Sequence, residues 1–269
     1  MEFGWDGGRK SAKTAGANGY RDSFDSWVGD ARTLKLTNSE RSTDIIITTE
    51  GKTHFIGALA KDESFAPRRM MTESKIHEDT RILFQASIAR AIPDGTTVDI
   101  VTGVPIAQHD PRTKEQLIAL LSGVHDVEIN GTRKRFLVRL VRVAIEGATV
   151  YLTLAKEGNG IVRIIDIGSR TVNFATISNG RFVDRLSGTL DYGMEKLAQT
   201  DNETAAAQIA GDLSWRWTDP HDQMFLVGGG ALRLGNDLQY HFQNVTIPQD
   251  SVYANAIAYY EAGERARAK

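Results

Sequence analysis

Two segments far apart in this chain share one layout. Asp6-Gly7-Gly8-Arg9-Lys10-Ser11-Ala12-Lys13 and Asp166-Ile167-Gly168-Ser169-Arg170-Thr171-Val172-Asn173 each put an aspartate at the end of an apolar strand. Each then has a glycine two positions later and a polar residue seven positions later. Both open a run of hairpin strands followed by helices. A turn that only reverses the chain need not recur at equivalent points of two such runs. The repeat therefore predicts two similar halves facing each other, with their aspartates converging.

Strand and helix signals alternate along the rest of the chain, which is an α/β pattern. Asp44–Thr48 is β-branched, and Glu50-Gly51 reads as a turn before His54-Phe55-Ile56. Asn130-Gly131 joins the strand Val124–Ile129 to Phe136–Ile145, and Asn179-Gly180 joins Thr171–Ser178 to Phe182. Both dipeptides are strong hairpin signals, because the two central residues of such a turn take positive φ. Val98–Val101 reads as a buried strand, Ile161–Ile167 as a largely apolar one, and Met224–Val227 as a strand that runs straight into Gly228. Helices are expected over Glu78–Ile92, Thr113–Leu121, Tyr192–Ala198, Glu203–Trp215 and Ala231–Tyr240, and from Ser251 to the C-terminus. In the first of these, Ile82, Leu83, Ala86 and Ala89 share one face.

Composition then removes whole classes of chemistry. There is no cysteine, so thiol catalysis, disulfides and cysteine metal sites are excluded. A formal charge of -2 argues against direct nucleic-acid binding, which usually needs a basic excess. The clusters Arg68-Arg69, Arg133-Lys134-Arg135 and Arg265, Arg267, Lys269 are short enough to be solvated faces. The opening MEFGWDGG lacks a secretory pattern. The most apolar stretch, Phe136–Leu154, is broken by Arg139, Arg142 and Glu146, too often to span a bilayer. The expectation is a cytoplasmic protein with no membrane partner.

What remains points to phosphate. Backbone N–H groups in a glycine turn can approach phosphate oxygens closely, where a side chain would block them. Asp6 and Asp166 would then share a Mg²⁺ ion, largely through its retained waters. Lys13 returns along the second strand of its hairpin toward the same charge. Gly228-Gly229-Gly230-Ala231 lies between a buried strand and a helix, and permits backbone approach to a ring or sugar near a helix N-terminus. It is not a P-loop, since no Gly-Lys-Ser/Thr follows. Glu146, before Gly147, offers one carboxylate to orient a water for attack on a γ-phosphate, where positioning supplies most of the catalysis. The competing readings are a plain turn for each Asp-x-Gly, a flexible connection for the three glycines and an exposed turn residue for Glu146. Trp215-Arg216-Trp217 could stack a base, but core packing is the commoner use. The six histidines show no metal-binding spacing.

Taken in order, Asp6-x-Gly8-x4-Lys13, Val101-Thr-Gly-Val-Pro105, Glu146-Gly147, Asp166-x-Gly168-x2-Thr171 and Gly228-Gly229-Gly230-Ala231 resemble the actin-like ATPases. Within them the chain is most similar to the ParM/StbA plasmid-segregation group, whose closing helix resembles Pro248–Tyr260 with its Tyr253-Ala-Asn-Ala256. The resemblance implies an actin-like fold of two ribonuclease-H-like halves around a nucleotide cleft. Domain I would span 1–158, with subdomain IB at about 20–60, and be completed by 247–269; domain II would be 159–246. It implies ATP or GTP with Mg²⁺, and filament assembly whose stability hydrolysis controls.

By motif, Asp6, Gly7, Gly8, Arg9 and Lys13 fall on the first phosphate loop, and Gly168, Ser169, Arg170 and Thr171 on the second. Asp6 and Asp166 fall on the metal-associated carboxylates, and Glu146 on the water-positioning residue. Gly228, Gly229, Gly230 and Ala231 fall on the adenosine segment, and Gly193 where relatives touch the ribose. Asn173 stands where many relatives have Asp. The stretch from Asp166 to Gly228 is too short for the capping subdomain IIB, as in the AlfA subgroup. Expected partners are further copies of the chain and a DNA-binding adaptor at a centromere-like site. The alternatives are a sugar- or acetate-type kinase of the same superfamily, or a nucleotide switch that does not polymerise.

Overall fold

The structure, a computed structural model, describes residues 1–35, 43–69, 74–154, 160–219 and 221–268. Lys269 of the basic tail and the expected domain boundary after residue 158 lie outside the described residues. The chain packs as two compact units. The first unites Met1–Thr102 and Pro111–Val143, the second Gly103–Asp110 and Ala144–Lys269.

The first unit contains β1 (Glu2–Gly7), β2 (Ser11–Gly16), β3 (Arg21–Asp25), β4 (Trp27–Asp30), β5 (Ile45–Thr49), β6 (Lys52–Ile56), α1 (Ala58–Glu63), β7 (Arg68–Arg69), α2 (Glu78–Ala91) and β8 (Thr97–Val104). It continues with α3 (Pro111–Leu121), β9 (Gly123–Ile129) and β10 (Thr132–Ile145). The last residues of β8 and β10 belong to the second unit. One sheet runs in the order β3-β2-β1-β8-β10-β9-β5-β6-β4-β7. β1 pairs antiparallel with β2 and parallel with β8.

Glu50 and Gly51 have φ of 50° and 76°, and Asn130 and Gly131 have 46° and 76°. Both turns therefore take the left-handed backbone that their residue types tolerate at least cost. Helix α2 differs from the one-sided helix expected. Nearly every side chain from Asp79 to Ala89 is buried, so it is a core helix sealed on all sides. Trp5, Phe84, His125 and Phe136 form a continuous aromatic chain in this core, with successive ring centroids 5.2, 5.7 and 5.0 Å apart.

The second unit contains α4 (Tyr151–Leu154), β11 (Ile161–Ile167), β12 (Val172–Ser178), β13 (Arg181–Phe182), β14 (Gly188–Leu190), α5 (Met194–Leu197), α6 (Asn202–Ser214), β15 (Gln223–Val227), α7 (Ala231–Leu238), β16 (Val245–Thr246) and α8 (Ala254–Arg267). The sheet order is β13-β12-β11-β15-β16, with β14 also on β12. Again the first strand, β11, is antiparallel to its hairpin partner and parallel to the strand on its other side. The sequence repeat is thus a repeat of topology.

Both faces of this sheet are covered, which is why every residue of β11 after Ile161 is buried, with Arg163 paired to Asp222. Ile165, Ile167, Phe174 and Leu226 pack against α6 and α7. Ile164, Ala175, Phe225 and Val227 pack with Ala148, Val150 and with Ala254 and Ala258 of α8. That second cluster explains why the division differs from the expected domain limits. Residues 144–154 and the closing helix were expected with the first half, but their apolar side chains lie in the core of the second. The expected helix Tyr192–Ala198 is shorter, only Met194–Leu197.

Candidate active site

In the first unit the β1–β2 hairpin sets Asp6 directly opposite Lys13. Opposed residues of a strand pair project to one face, and Lys13 Nζ donates to Asp6 Oδ2 at 3.1 Å. Gly7 ends β1, and Gly8 and Arg9 make the turn. A Cβ on Gly8 would lie 2.7 Å from the Ser11 carbonyl oxygen and 3.3 Å from Lys13 Nζ. The result is a cation and a carboxylate beside a turn that has room only for backbone.

The second unit repeats the register: Asp166 stands opposite Asn173 across β11 and β12. Gly168 N–H donates to Thr171 O at 3.0 Å, with Ser169 and Arg170 at the tip of the turn. An amide thus occupies the position that an ammonium holds in the first hairpin.

Glu146 joins this second constellation. It follows β10 directly and is only 7% exposed, so the reading of an exposed turn glutamate fails. Its N–H donates to Val104 O at 3.0 Å. Asn173 Nδ2 donates to Glu146 Oε2 at 3.4 Å, a long bond. Asn173 Oδ1 accepts from Thr189 Oγ1 at 2.8 Å and from Ile106 N–H at 3.4 Å. The chain then turns at Gly147, whose φ of 74° admits a side chain only under strain. Gly147 N–H donates to Asn255 Oδ1 at 3.0 Å, and Asn255 Nδ2 donates to Asp166 Oδ2 at 2.8 Å. Two carboxylates, Glu146 and Asp166, are therefore each held by an asparagine amide. All four residues are buried.

The glycine turn after β15 is part of the same assembly. Gly228 has φ 82°, and a Cβ there would lie 2.5 Å from Asp166 Oδ1. Gly228 N–H donates to Ser251 O at 2.9 Å, and Gly230 N–H donates to Ile167 O at 3.0 Å. Between these anchors Gly229 is exposed, with nothing within 4 Å of the Cβ it would carry. Ala231 begins α7. The turn is pinned at its ends and open at its middle, which rules out a loose connection.

Gly193 has a packing reason of its own. A Cβ there would lie 2.7 Å from the Arg170 backbone and from Gly168 O. Met194 N–H and Glu195 N–H donate to Gly168 O and Ser169 O, so the start of α5 is tied to the β11–β12 turn.

Sequence reasoning missed Asn255 and Thr189. Asn255 had a signal, a polar residue in the alanine-rich opening of a buried helix, where an amide must find partners. The two tryptophans of the Trp-Arg-Trp motif separate. Trp217 is buried against Phe174 and Phe242, whereas Trp215 is exposed beneath the Arg216 guanidinium. A recess of about 570 Å³ on α6, lined by Ala207, Gly211, Trp217 and Phe242 among others, contains none of these carboxylates.

Among the described residues no three His, Asp or Glu side chains gather to cage a metal. The donor set still fits Mg²⁺, which commonly takes one or two carboxylates and fills its remaining positions with water and phosphate oxygen. Among the described residues no helix is long and apolar enough to cross a membrane.

The family described as actin like proteins N terminal domain matches residues 4–148. Among curated proteins nothing matches. Several solved structures superpose over nearly the whole chain. The archaeal actin homologue Ta0583, in complex with ADP, has 19% identity and a TM-score of 0.81, covering 98% of this chain and 99% of its own. A 15-stranded ParM filament from Clostridium botulinum has 18% identity and a TM-score of 0.82, with 98% and 99% covered. The AlfA filament from B. subtilis plasmid pLS32 has 19% identity and a TM-score of 0.75, with 96% and 97% covered. At such identities the likeness is one of fold.

Proposed function

Because the chain belongs to the family of actin-like proteins, we propose that it is an ATPase that assembles with its own copies into filaments and moves plasmid DNA. The observation that carries this reading is the buried pair Glu146 and Asp166, bound through Asn173 and Asn255 beside the Gly228–Ala231 turn. Full-length likeness to a ParM filament and to a plasmid-derived AlfA filament supports self-assembly as the output. The ADP complex of the archaeal homologue supports a nucleotide as ligand.

The roles follow from the chemistry of each group. Lys13 meets phosphate charge, and the turns at Gly7–Arg9 and Gly168–Thr171 offer backbone N–H groups. Gly228, Gly229, Gly230 and Ala231 receive the nucleoside, and Gly193 packs beneath the second turn near the sugar. Asp166 would hold Mg²⁺, with Asp6 as the matching carboxylate of the first hairpin, and the ion would neutralise phosphate charge when bound. Glu146 accepts a hydrogen bond from the attacking water and aligns it, so that little covalent chemistry is asked of the protein. A near-neutral chain calls for a separate DNA-binding adaptor, and the site chemistry admits GTP as well as ATP.

Light scattering on addition of Mg-ATP tests the reading. A steep protein-concentration threshold is the expected result, with Mg-GTP as the parallel arm. Nucleotide that binds and hydrolyses without scattering would identify a switch, and sugar-dependent ADP release a kinase. For binding itself, nucleotide at about a hundred times its Kd stabilises a protein by about 2.7 kcal/mol. In a chain of this size that raises Tm by roughly 5–10 °C. No shift would overturn the proposal.

A further inference from the structure

Asn255 lies in the first turn of α8, far in sequence from Gly147 and Asp166, yet it touches both at once. Its Oδ1 accepts from Gly147 N–H at 3.0 Å and its Nδ2 donates to Asp166 Oδ2 at 2.8 Å. The orientation of the amide is fixed by its partners, since a backbone N–H can only donate and a carboxylate without its proton can only accept. Only an amide side chain of this length offers both functions in one rigid plane. The residue is 8% exposed, and α8 is seated on the sheet through Ala254 and Ala258, so the side chain has little freedom to leave.

We propose that Asn255 is a positioning residue for hydrolysis, locking the Glu146–Gly147 turn and the Asp166 carboxylate into one fixed relation. Glu146 adjoins Gly147, so its placement follows the backbone of that turn, and Asn255 fastens the turn through the Gly147 N–H. The same amide fixes the Asp166 rotamer, leaving the other carboxylate oxygen beside Gly228. Reactions governed by alignment lose rate steeply when one group shifts by about an ångström. The catalytic part of this inference rests on the ATPase reading; the geometric part does not.

The test uses the full chain and Asn255→Ala, Asn255→Asp, Glu146→Ala and the double variant Glu146→Ala with Asn255→Ala. Asn255→Ala is expected to lower ATP turnover about tenfold or more while ADP affinity stays within about threefold, a split that generalised damage would not give. In the Glu146→Ala background, adding Asn255→Ala should cost clearly less than it costs the wild type, because the part of its effect that acts through Glu146 is already gone. Full additivity, or an ADP affinity that falls in step with turnover, overturns the proposal.

Hydrogen exchange at Gly147 supplies a readout independent of nucleotide. Asn255→Ala should speed it about tenfold, and Asn255→Asp, which keeps the acceptor, should leave it near the wild-type rate. Unchanged exchange in Asn255→Ala overturns the inference even if ATP is hydrolysed. A wild-type chain that hydrolyses no nucleotide overturns the ATPase reading and the catalytic role with it, and the exchange result then reports on geometry alone.

Discussion

Asn173 stands opposite Asp166 at the register position that Lys13 holds opposite Asp6 in the other hairpin. One register thus serves two chemistries. In the first unit a flexible ammonium reaches the aspartate across the strands. In the second a planar amide bridges to Glu146, Thr189 and Ile106.

Replacing Asn173 by Asp tests that bridge. The variant loses the donor toward Glu146 and sets a third carboxylate among buried groups. It should unfold more readily by about 1–3 kcal/mol, the usual cost of a buried polar group left without its partner. Urea denaturation at neutral pH measures this, and turnover should fall in parallel. An unchanged or raised midpoint would show that an acidic residue is equally at home here.

Glu146→Ala should bind nucleotide and assemble as the wild type does but hydrolyse about a hundredfold more slowly, leaving polymer that outlasts the wild type's. Phosphate release and sedimentation followed on one sample check both halves. A normal rate of release would assign the water-positioning role elsewhere.

Neighbouring glycines should respond in opposite ways. Gly228→Ala forces a side chain onto Asp166 and Ile167 at a positive φ, so it should lower Tm and abolish nucleotide binding together. Gly229→Ala has open space and should leave Tm within a degree or two, since exposed substitutions usually cost under about 0.5 kcal/mol. A loss of nucleotide affinity in Gly229→Ala at constant Tm would mark where the ligand lies against the turn.

The core of the first unit carries a pH dependence. Burial holds His125 below the usual histidine range, with the Leu121 carbonyl opposing that shift, and burial lowers His54 in the same way. The unfolded chain binds these protons more readily than the folded one. Stability is therefore full above the ordinary histidine pKa, about 6.5, and falls as pH drops below it toward the folded values. Urea midpoints at pH 7.5 and 5.5 should differ more for wild type than for His125→Gln. Equal slopes in both proteins would mean that His125 does not titrate between those values.

Much of this molecule was legible in its sequence, for local reasons. Strands such as Met224–Val227 are apolar on both faces and can only be buried. Asn-Gly pairs fix the hairpin turns at 130–131 and 179–180, and the glycine turn at Gly7-Gly8 marks the hairpin that sets Asp6 against Lys13. The two Asp-x-Gly hairpins and the glycine turn after β15 are short-range features, so spacing alone revealed them. Tertiary structure decided the rest. That α2 is sealed on every side, and that residues 144–154 and α8 pack with the second sheet, depends on surfaces made by distant strands. Asn255 reaches Gly147 and Asp166 across gaps in sequence that no periodicity spans. A buried amide finds its partners only once the core has closed, and no local pattern encodes which carboxylate it will meet.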